Sequence, residues 1–293
     1  MRHIHFILNP IAGKGSNFLD LALLEKYFNK KDFSIVIKPT SYKKHAIKLT
    51  QESINEKAHI IVACSGDGTI NEVASCLVNS PIILGIIPIG SGNGLASNLN
   101  IPKNIHKALA LIKTQTVKKI DVGTLNNLHF FSNTGIGFDA QVIKHYEASN
   151  ERTLVSYIKA TLKSLKKSNK LMDVETTLDD ESIQHKPFLI FISNSNELGY
   201  KVSLTPKASL QDGKLDVLIV KEISAFKIFL FTVLMLFKSH HMLKEVNCYQ
   251  TKQLKITLKD KLLFQIQMDG EFKMIKNQTI NISILEKALK VIA

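Results

Sequence analysis

Residues 63–74 read Ala-Cys-Ser-Gly-Asp-Gly-Thr-Ile-Asn-Glu-Val-Ala, and residues of these types in this order suit a phosphate site. Glycines let a backbone approach a ligand closely, and the N–H groups at a helix start attract anions. Asp67, set between Gly66 and Gly68, adds a carboxylate that can hold a metal ion beside a phosphate. A second glycine-rich stretch, Pro88-Ile89-Gly90-Ser91-Gly92-Asn93-Gly94, offers Ser91 and Asn93 to a ligand. Near the end of the chain, Asp269-Gly270-Glu271 follows an alternating apolar run. A carboxylate exposed beside a turn glycine can accept a proton from an attacking hydroxyl. Asp212-Gly213, taken alone, reads as a turn.

These side chains need elements to position them. The run His59–Ala63 has the length and β-branched content of a buried strand, and Ile70, Val73, Ala74 and Leu77 recur at helical spacing. Thr69 and Glu72 form a T-x-x-E capping box, which predicts that the helix starts at Thr69. Upstream, His3–Leu8 reads as a strand that enters a loop, Asn9–Ser16, carrying Lys14. It is not a Walker A loop, because Leu8 stands where the first glycine belongs. Phe18, Leu21, Leu24 and Phe28 then line one helix face, with Ser16 or Asn17 as its cap. Ser34–Lys38 is a strand ending at Pro39-Thr40, Ser41 opens a helix to about Glu56, and Ile82–Ile87 is a fourth strand. Such alternation implies a parallel, doubly wound sheet. Ligands bind at the carboxyl ends of its strands, where Asn9, Lys14, Thr40, Asp67 and the segment after Ile87 all fall.

The pattern changes after a helix at Ile105–Lys113, and residues 124–129 read as a hairpin turn. From there strands follow one another without regular helices between them, so a first domain spans 1–122 and a mainly antiparallel second domain 123–293, with the last residues open to a return to the first. Gly135-Ile136-Gly137-Phe138-Asp139-Ala140 matches the dinucleotide fingerprint G-x-G-x-x-A. A Rossmann site wants an acid about 20 residues on, and the chain there is rich in Lys and Ser. Residues 152–170 form an amphipathic helix, with Leu154, Ile158, Leu162 and Leu165 in one stripe and Lys159, Lys163, Lys166 and Lys170 in another. It reads either as a core-facing helix with a solvated basic face or as a helix that settles on an anionic membrane. The apolar run 225–237 is shorter than the ~20 residues of a membrane span and reads first as a buried helix, with a membrane wedge or the lining of a lipid pocket as alternatives.

A formal charge of +13 favours an anionic partner: nucleotide, nucleic acid or an acidic membrane face. Cys64, Cys76 and Cys248 are too few and scattered for a disulfide framework, which fits a reducing compartment. The first apolar run stops at Asn9-Pro10, so no signal peptide is expected.

The series Asn9-Pro10…Gly13-Lys14, Ser65–Thr69…Asn71-Glu72 and Pro88…Gly90–Asn93 resembles the diacylglycerol kinase catalytic-domain family, which includes soluble bacterial lipid kinases and the sphingosine kinases. The likeness runs over nearly the whole chain. It implies a doubly wound α/β domain followed by a mainly antiparallel β-sandwich, in the NAD kinase/diacylglycerol kinase-like manner. It further implies ATP and Mg2+, with nucleotide held in the cleft between two domains by Asn9, Lys14, Thr40, Gly66, Asp67, Gly68, Thr69, Ile70, Asn71, Glu72, Ser91 and Asn93. By the same resemblance Pro206…Asp212-Gly213-Lys214-Leu215-Asp216 places a metal at Asp212, with carbonyls around Ser209 and Lys214. Glu271 is the implied base, with Asp269 assisting or binding metal. Ser65 replaces the commoner first glycine, and Ser91-Gly92-Asn93-Gly94 replaces Thr-x-Asn-Asp; both variants resemble the sphingoid-base branch. The expected activity is phosphorylation of a lipid hydroxyl, first of diacylglycerol, with a sphingoid base or ceramide next and NAD kinase or a non-catalytic binding protein behind. The expected setting is cytoplasmic, peripherally bound to an anionic membrane that presents the lipid, without nucleic acid and with a homodimer open.

Overall fold

Four aliphatic runs form the parallel core of the first unit, which comprises Met1–Val122 and Glu286–Ala293 in this computed structural model. Residues 1–13, 19–90, 92–149, 153–166, 172–196, 203–259 and 263–293 are described; Lys14, Ser16, Asn17, Ser91 and Lys170 lie outside them. The runs are β1 (Arg2–Leu8), β2 (Phe33–Pro39), β3 (Ile60–Ser65) and β4 (Ile83–Pro88), side by side in the order β2-β1-β3-β4. Every residue of β3 is buried, as a central strand covered on both faces requires. Helices α1 (Leu21–Glu25), α2 (His45–Asn55), α3 (Asp67–Leu77), α4 (Gly94–Asn98) and α5 (Ile105–Thr114) complete this unit. Leu8 lies opposite Pro39 and Cys64, and Ser65 opposite Pro88. The four strands therefore end at one level, and Asn9, Thr40, Gly66 and Ile89 leave the sheet together.

Local chemistry moves three helix starts away from the sequence expectation. Asp20, not Ser16 or Asn17, caps α1 by accepting the Leu23 N–H at 2.7 Å. The second helix begins at His45 rather than Ser41, because the His45 ring accepts the Ser41 N–H at 3.1 Å and stacks on Tyr42. α3 begins at Asp67, two residues before Thr69, with Gly66 as its N-cap and no side-chain cap bond. Asp67 in the first turn complements the positive helix end, so the capping box is not what starts this helix.

The second unit, Gly123–Leu285, is a sandwich. It takes over β5 (Val117–Leu125) from the first unit and continues through β6 (Leu128–Phe130), β7 (Asn133–Gly137), α6 (Phe138–Glu147), α7 (Leu154–Lys166), β8 (Val174–Leu178), β9 (Glu181–His185) and β10 (Leu189–Ser193). There follow β11 (Leu215–Val220), α8 (Ala225–Leu236), β12 (Val246–Thr251), β13 (Gln253–Leu258), β14 (Phe264–Met268), β15 (Glu271–Ile275) and β16 (Thr279–Ile292), whose end re-enters the first unit beside β4. One antiparallel sheet runs β12-β11-β10-β7-β14-β15, and the other pairs β16, β13, β8 and β9. Alternate residues of both sheets, among them Ile190, Ile192, Phe264 and Ile266 from one and Val174, Leu254, Ile256 and Ile280 from the other, form a shared core. Each such side chain contributes roughly 1.5–3 kcal/mol on burial.

Two expectations fail in this unit. A regular helix, α6, follows β7 directly where only strands were expected. The apolar run of α8 is not all buried either, since Phe226 and Phe229 are exposed; on α7 Ile158 and Leu162 are exposed, against the core-facing one of its two readings. Amphipathic periodicity reports a face, and the partner of that face is set by tertiary packing. Among the described residues no helix is long and apolar enough to cross a membrane.

Candidate active site

The carboxyl edge of the first unit is built by two glycine turns in backbone contact. A Cβ on Gly90 would lie 2.5 Å from the Gly66 Cα, so the second turn tolerates no side chain there, and one on Gly66 would meet the Gly90 Cα at a tight 3.2 Å. Asp67 ties the turns together: its Oδ2 accepts the Asn93 N–H at 2.7 Å and its Oδ1 the Gly94 N–H at 2.6 Å. Asn93 is buried and left-handed at φ 57°. Its side chain bonds both backbone groups of Gly90, accepting from N and donating to O. The Asn93 side chain, expected to bond a ligand, thus also holds the loop. Ile70 is likewise structural, with a buried side chain and an N–H donated to the Gly66 carbonyl. Gly68, Thr69, Asn71 and Glu72 lie in the first turns of α3, and none of them is buried.

Two neighbouring loops finish this edge. Asn9 forms an Asx turn, its side-chain oxygen accepting the Ile11 N–H at 3.2 Å, and its own N–H reaches the Cys64 carbonyl at 3.1 Å. The Thr40 N–H donates to Leu8 at 2.8 Å. Strand order reverses between β1 and β3, since β2 lies outside one and β4 outside the other. Such a switch point is where open α/β sheets bind ligands. Asn9 and Gly66 stand on either side of it.

In the second unit, β14 and β15 are joined by Asp269-Gly270, both with positive φ, 49° and 78°. That is the Asp-Gly hairpin turn whose backbone twist matches the strands, and it places Glu271 first on β15, part-exposed, with Lys273 Nζ 3.4 Å away. Asp269 has a different role. Its carboxylate accepts three backbone N–H groups, from Phe131 at 2.9 Å, Ser132 at 2.7 Å and Asn133 at 3.1 Å. It anchors the segment before β7 to the turn.

One residue that the sequence reading did not single out supports the same turn. The buried Gln267 accepts the Gly270 N–H at 3.1 Å and donates to Asn133 at 2.7 Å. Asp139, at the start of α6, lies against Gly135, where a Cβ would meet its Oδ2 at 2.2 Å. The glycine of the G-x-G-x-x-A stretch thus makes room for a buried carboxyl, not for a pyrophosphate. The Gly-x-Gly-x-Asp-Ala spacing was the signal available for Asp139; Gln267 had none beyond its place on an alternating strand.

Burial pushes the Asp139 carboxyl up to about 7, with Gln267 pulling the other way. A carboxyl raised above its unfolded value contributes stability that is fully present below about pH 4 and lost as pH rises through about 7. At about 1.4 kcal/mol for each pH unit between the two values, the span is at most ~4 kcal/mol. Asp139→Asn is expected to flatten the stability–pH curve in that window, measured by denaturant unfolding from pH 4 to 8. A parent curve already flat there would contradict a buried, titrating Asp139.

Asp212 is exposed in an Asx turn, its Oδ1 accepting the Lys214 N–H at 3.1 Å, while Ser209 Oγ accepts the Gln211 N–H at 3.2 Å. Asp216, buried four residues on, has its carboxyl raised by burial and, to a lesser degree, by Asp212. Among the described residues no three His, Cys, Asp or Glu side chains gather into a metal cage. A magnesium ion that arrives with a nucleotide needs no cage, since one or two carboxylates plus phosphates hold it.

Comparison with known proteins agrees with the two-part fold. Residues 3–125 match the diacylglycerol kinase catalytic domain, and residues 132–293 match the YegS C-terminal NAD kinase beta sandwich-like domain. The chain is similar to the diacylglycerol kinase of Bacillus subtilis (strain 168), at 27% identity over 93% of this chain and 90% of that one. It is similar also to the diacylglycerol kinase of Staphylococcus saprophyticus, at 24% identity over 92% and 89%. A solved structure from Bacillus anthracis str. Sterne shares the fold, with a TM-score of 0.78 at 24% identity over 99% of this chain and 96% of that one. With its two parts matching these two domains in order, the chain belongs to the diacylglycerol kinase catalytic-domain family and is a lipid kinase.

Proposed function

We propose that the protein transfers the γ-phosphoryl group of ATP, carried with Mg2+, to the hydroxyl of diacylglycerol, giving phosphatidic acid. The observation that carries this reading is the pair of glycine turns braced by Asp67 at the switch point of the parallel sheet. The relatives named diacylglycerol kinase supply the choice of acceptor.

In this mechanism the start of α3 and the loop at Asn9 hold the phosphates, with Lys14 and Ser91 as further contacts by family position. A carboxylate has about four acceptor sites. Asp67 can therefore face a metal ion while it keeps the Asn93 and Gly94 amides. When bound, the ion neutralises charge on the transferring phosphoryl group, since such reactions depend on positioning and electrostatics. Glu271 takes the proton of the lipid hydroxyl as that oxygen bonds to the γ-phosphorus and the bond to the β-phosphate oxygen breaks. Asp269 and Gln267 keep the turn that presents Glu271 in place. The Asp212 turn is assigned a stabilising ion, away from the transferred group.

The test is a panel of acceptors with labelled ATP: diacylglycerol, a sphingoid base, ceramide and NAD. Label is expected in phosphatidic acid and is expected to vanish when the divalent ion is chelated. Label appearing instead in the sphingoid base or in NAD would refute the assigned acceptor.

A further inference from the structure

Seventeen large apolar side chains are exposed among the described residues, and they are not scattered evenly: four lie on α7 and five between Phe226 and Met242. Val155, Ile158 and Leu162 recur at helical spacing on α7 and are 60%, 50% and 55% exposed; Phe226, Phe229 and Phe237 on and just after α8 are 74%, 67% and 74% exposed. A contiguous apolar row at such exposure marks an interaction surface.

Both rows belong to one side of the sandwich. On β10 and β11, Ile190, Ile192, Val217 and Ile219 point into the shared core, while Leu189, Phe191, Leu218 and Val220 point outward. The outward set packs against Phe231 and Met235 of α8. α6 covers the same outer face farther along, where Gln141 donates to Gln265 of β14 and Asp139 lies on Gly135 of β7. α7 is fastened to α6 through Ser164 with His145, 2.8 Å, and Tyr157 against Tyr146. The helices of this side thus spend one face on the protein and leave another apolar face to the outside.

Charge selects the occupant. Neither α7 nor α8 contains an Asp or Glu. Lys159 and Lys163 stand exposed beside the α7 row, and Lys238 and Lys244 stand exposed after α8. Apolar rows edged by lysines, in a chain of formal charge +13, complement an acyl layer under anionic headgroups. We infer that the exposed faces of α7 and α8 form a two-helix docking surface for an anionic lipid bilayer; the choice of a lipid surface rests on the lipid-substrate reading above. The Phe rows enter the acyl boundary, and the lysines meet the headgroups.

The experiment is sedimentation of the full chain with phosphatidylglycerol/phosphatidylcholine vesicles at low salt, without ATP. Three variants are compared: Phe226→Ser with Phe229→Ser, Ile158→Ser with Leu162→Ser, and Lys159→Glu with Lys163→Glu. All six side chains are on the surface, outside the catalytic and binding groups. Each pair is expected to weaken vesicle binding by about tenfold or more, while phosphorylation of a short-chain, dispersed diacylglycerol stays at the parent rate. Failure of the parent to phosphorylate that soluble acceptor would count against the acceptor assignment alone, because vesicle binding is read separately. Unchanged sedimentation in the two apolar variants would overturn the docking surface. So would a Phe226/Phe229 variant that turns a dimer into a monomer by light scattering yet keeps its vesicle binding, since α8 would then join two copies of the chain.

Discussion

Glu271→Gln is expected to leave nucleotide affinity nearly unchanged and to lower kcat by ~10²–10⁴-fold, the usual contribution of a positioned general base. Gln keeps the size and most of the hydrogen bonding of Glu but accepts no proton. The hairpin should survive, because Asp269 and Gly270 supply its positive φ angles and Glu271 merely opens β15. Asp269→Asn makes the informative contrast. Its carboxylate accepts three backbone amides, and an Asn turns an N–H donor toward amides that also donate. Hydrogen bonds to charged groups contribute about 1.5–3 kcal/mol each, so this variant should lose several degrees of Tm as well as activity. Single-turnover phosphorylation at saturating Mg-ATP, beside thermal unfolding, separates the two. Near-normal turnover in Glu271→Gln, with collapse in a thermally intact Asp269→Asn, would move the base to Asp269.

Asp67→Ala is expected to reduce turnover below measurable levels and to weaken Mg-ATP binding, with a much smaller effect on the global fold. The side chain sits at a strand end, outside the aliphatic core of its unit. Its two acceptor oxygens position the Asn93 and Gly94 amides, so the substitution releases the second turn from the first. Asn93 still bonds Gly90, which should confine the damage to the loop and keep the loss of Tm to a few degrees. Nucleotide titration and thermal unfolding of the same preparation check both halves of the statement. Full turnover in a variant that melts like the parent would remove Asp67 from the site.

The short-range features of this protein were legible without any structure. Strand β3, the tight turn at Gly66–Asp67 and the helix after it are adjacent in sequence, and a buried apolar run, two glycines and helical spacing specify them locally. The parallel sheet follows from repetition of that unit, and the carboxyl-end position of Asn9, Thr40 and Asp67 follows from the sheet. Asp269-Gly270 likewise announces its hairpin, because only residues tolerant of positive φ make that turn. What the side chains there bond to is another matter. Asp67 meets Asn93 across 26 residues, and Asp269 meets Phe131 across 138; such pairings depend on strand register and loop packing, which no local pattern encodes. For that reason the sequence could not show that the Asn93 side chain braces the loop at Gly90, or that Asp269 accepts the amides of Phe131, Ser132 and Asn133. The stripes on α7 and α8 make the same point from the surface. Periodicity identified an apolar face on α7 and bare hydrophobicity an apolar α8, and only the tertiary structure decided which residues of each meet the protein and which stay exposed.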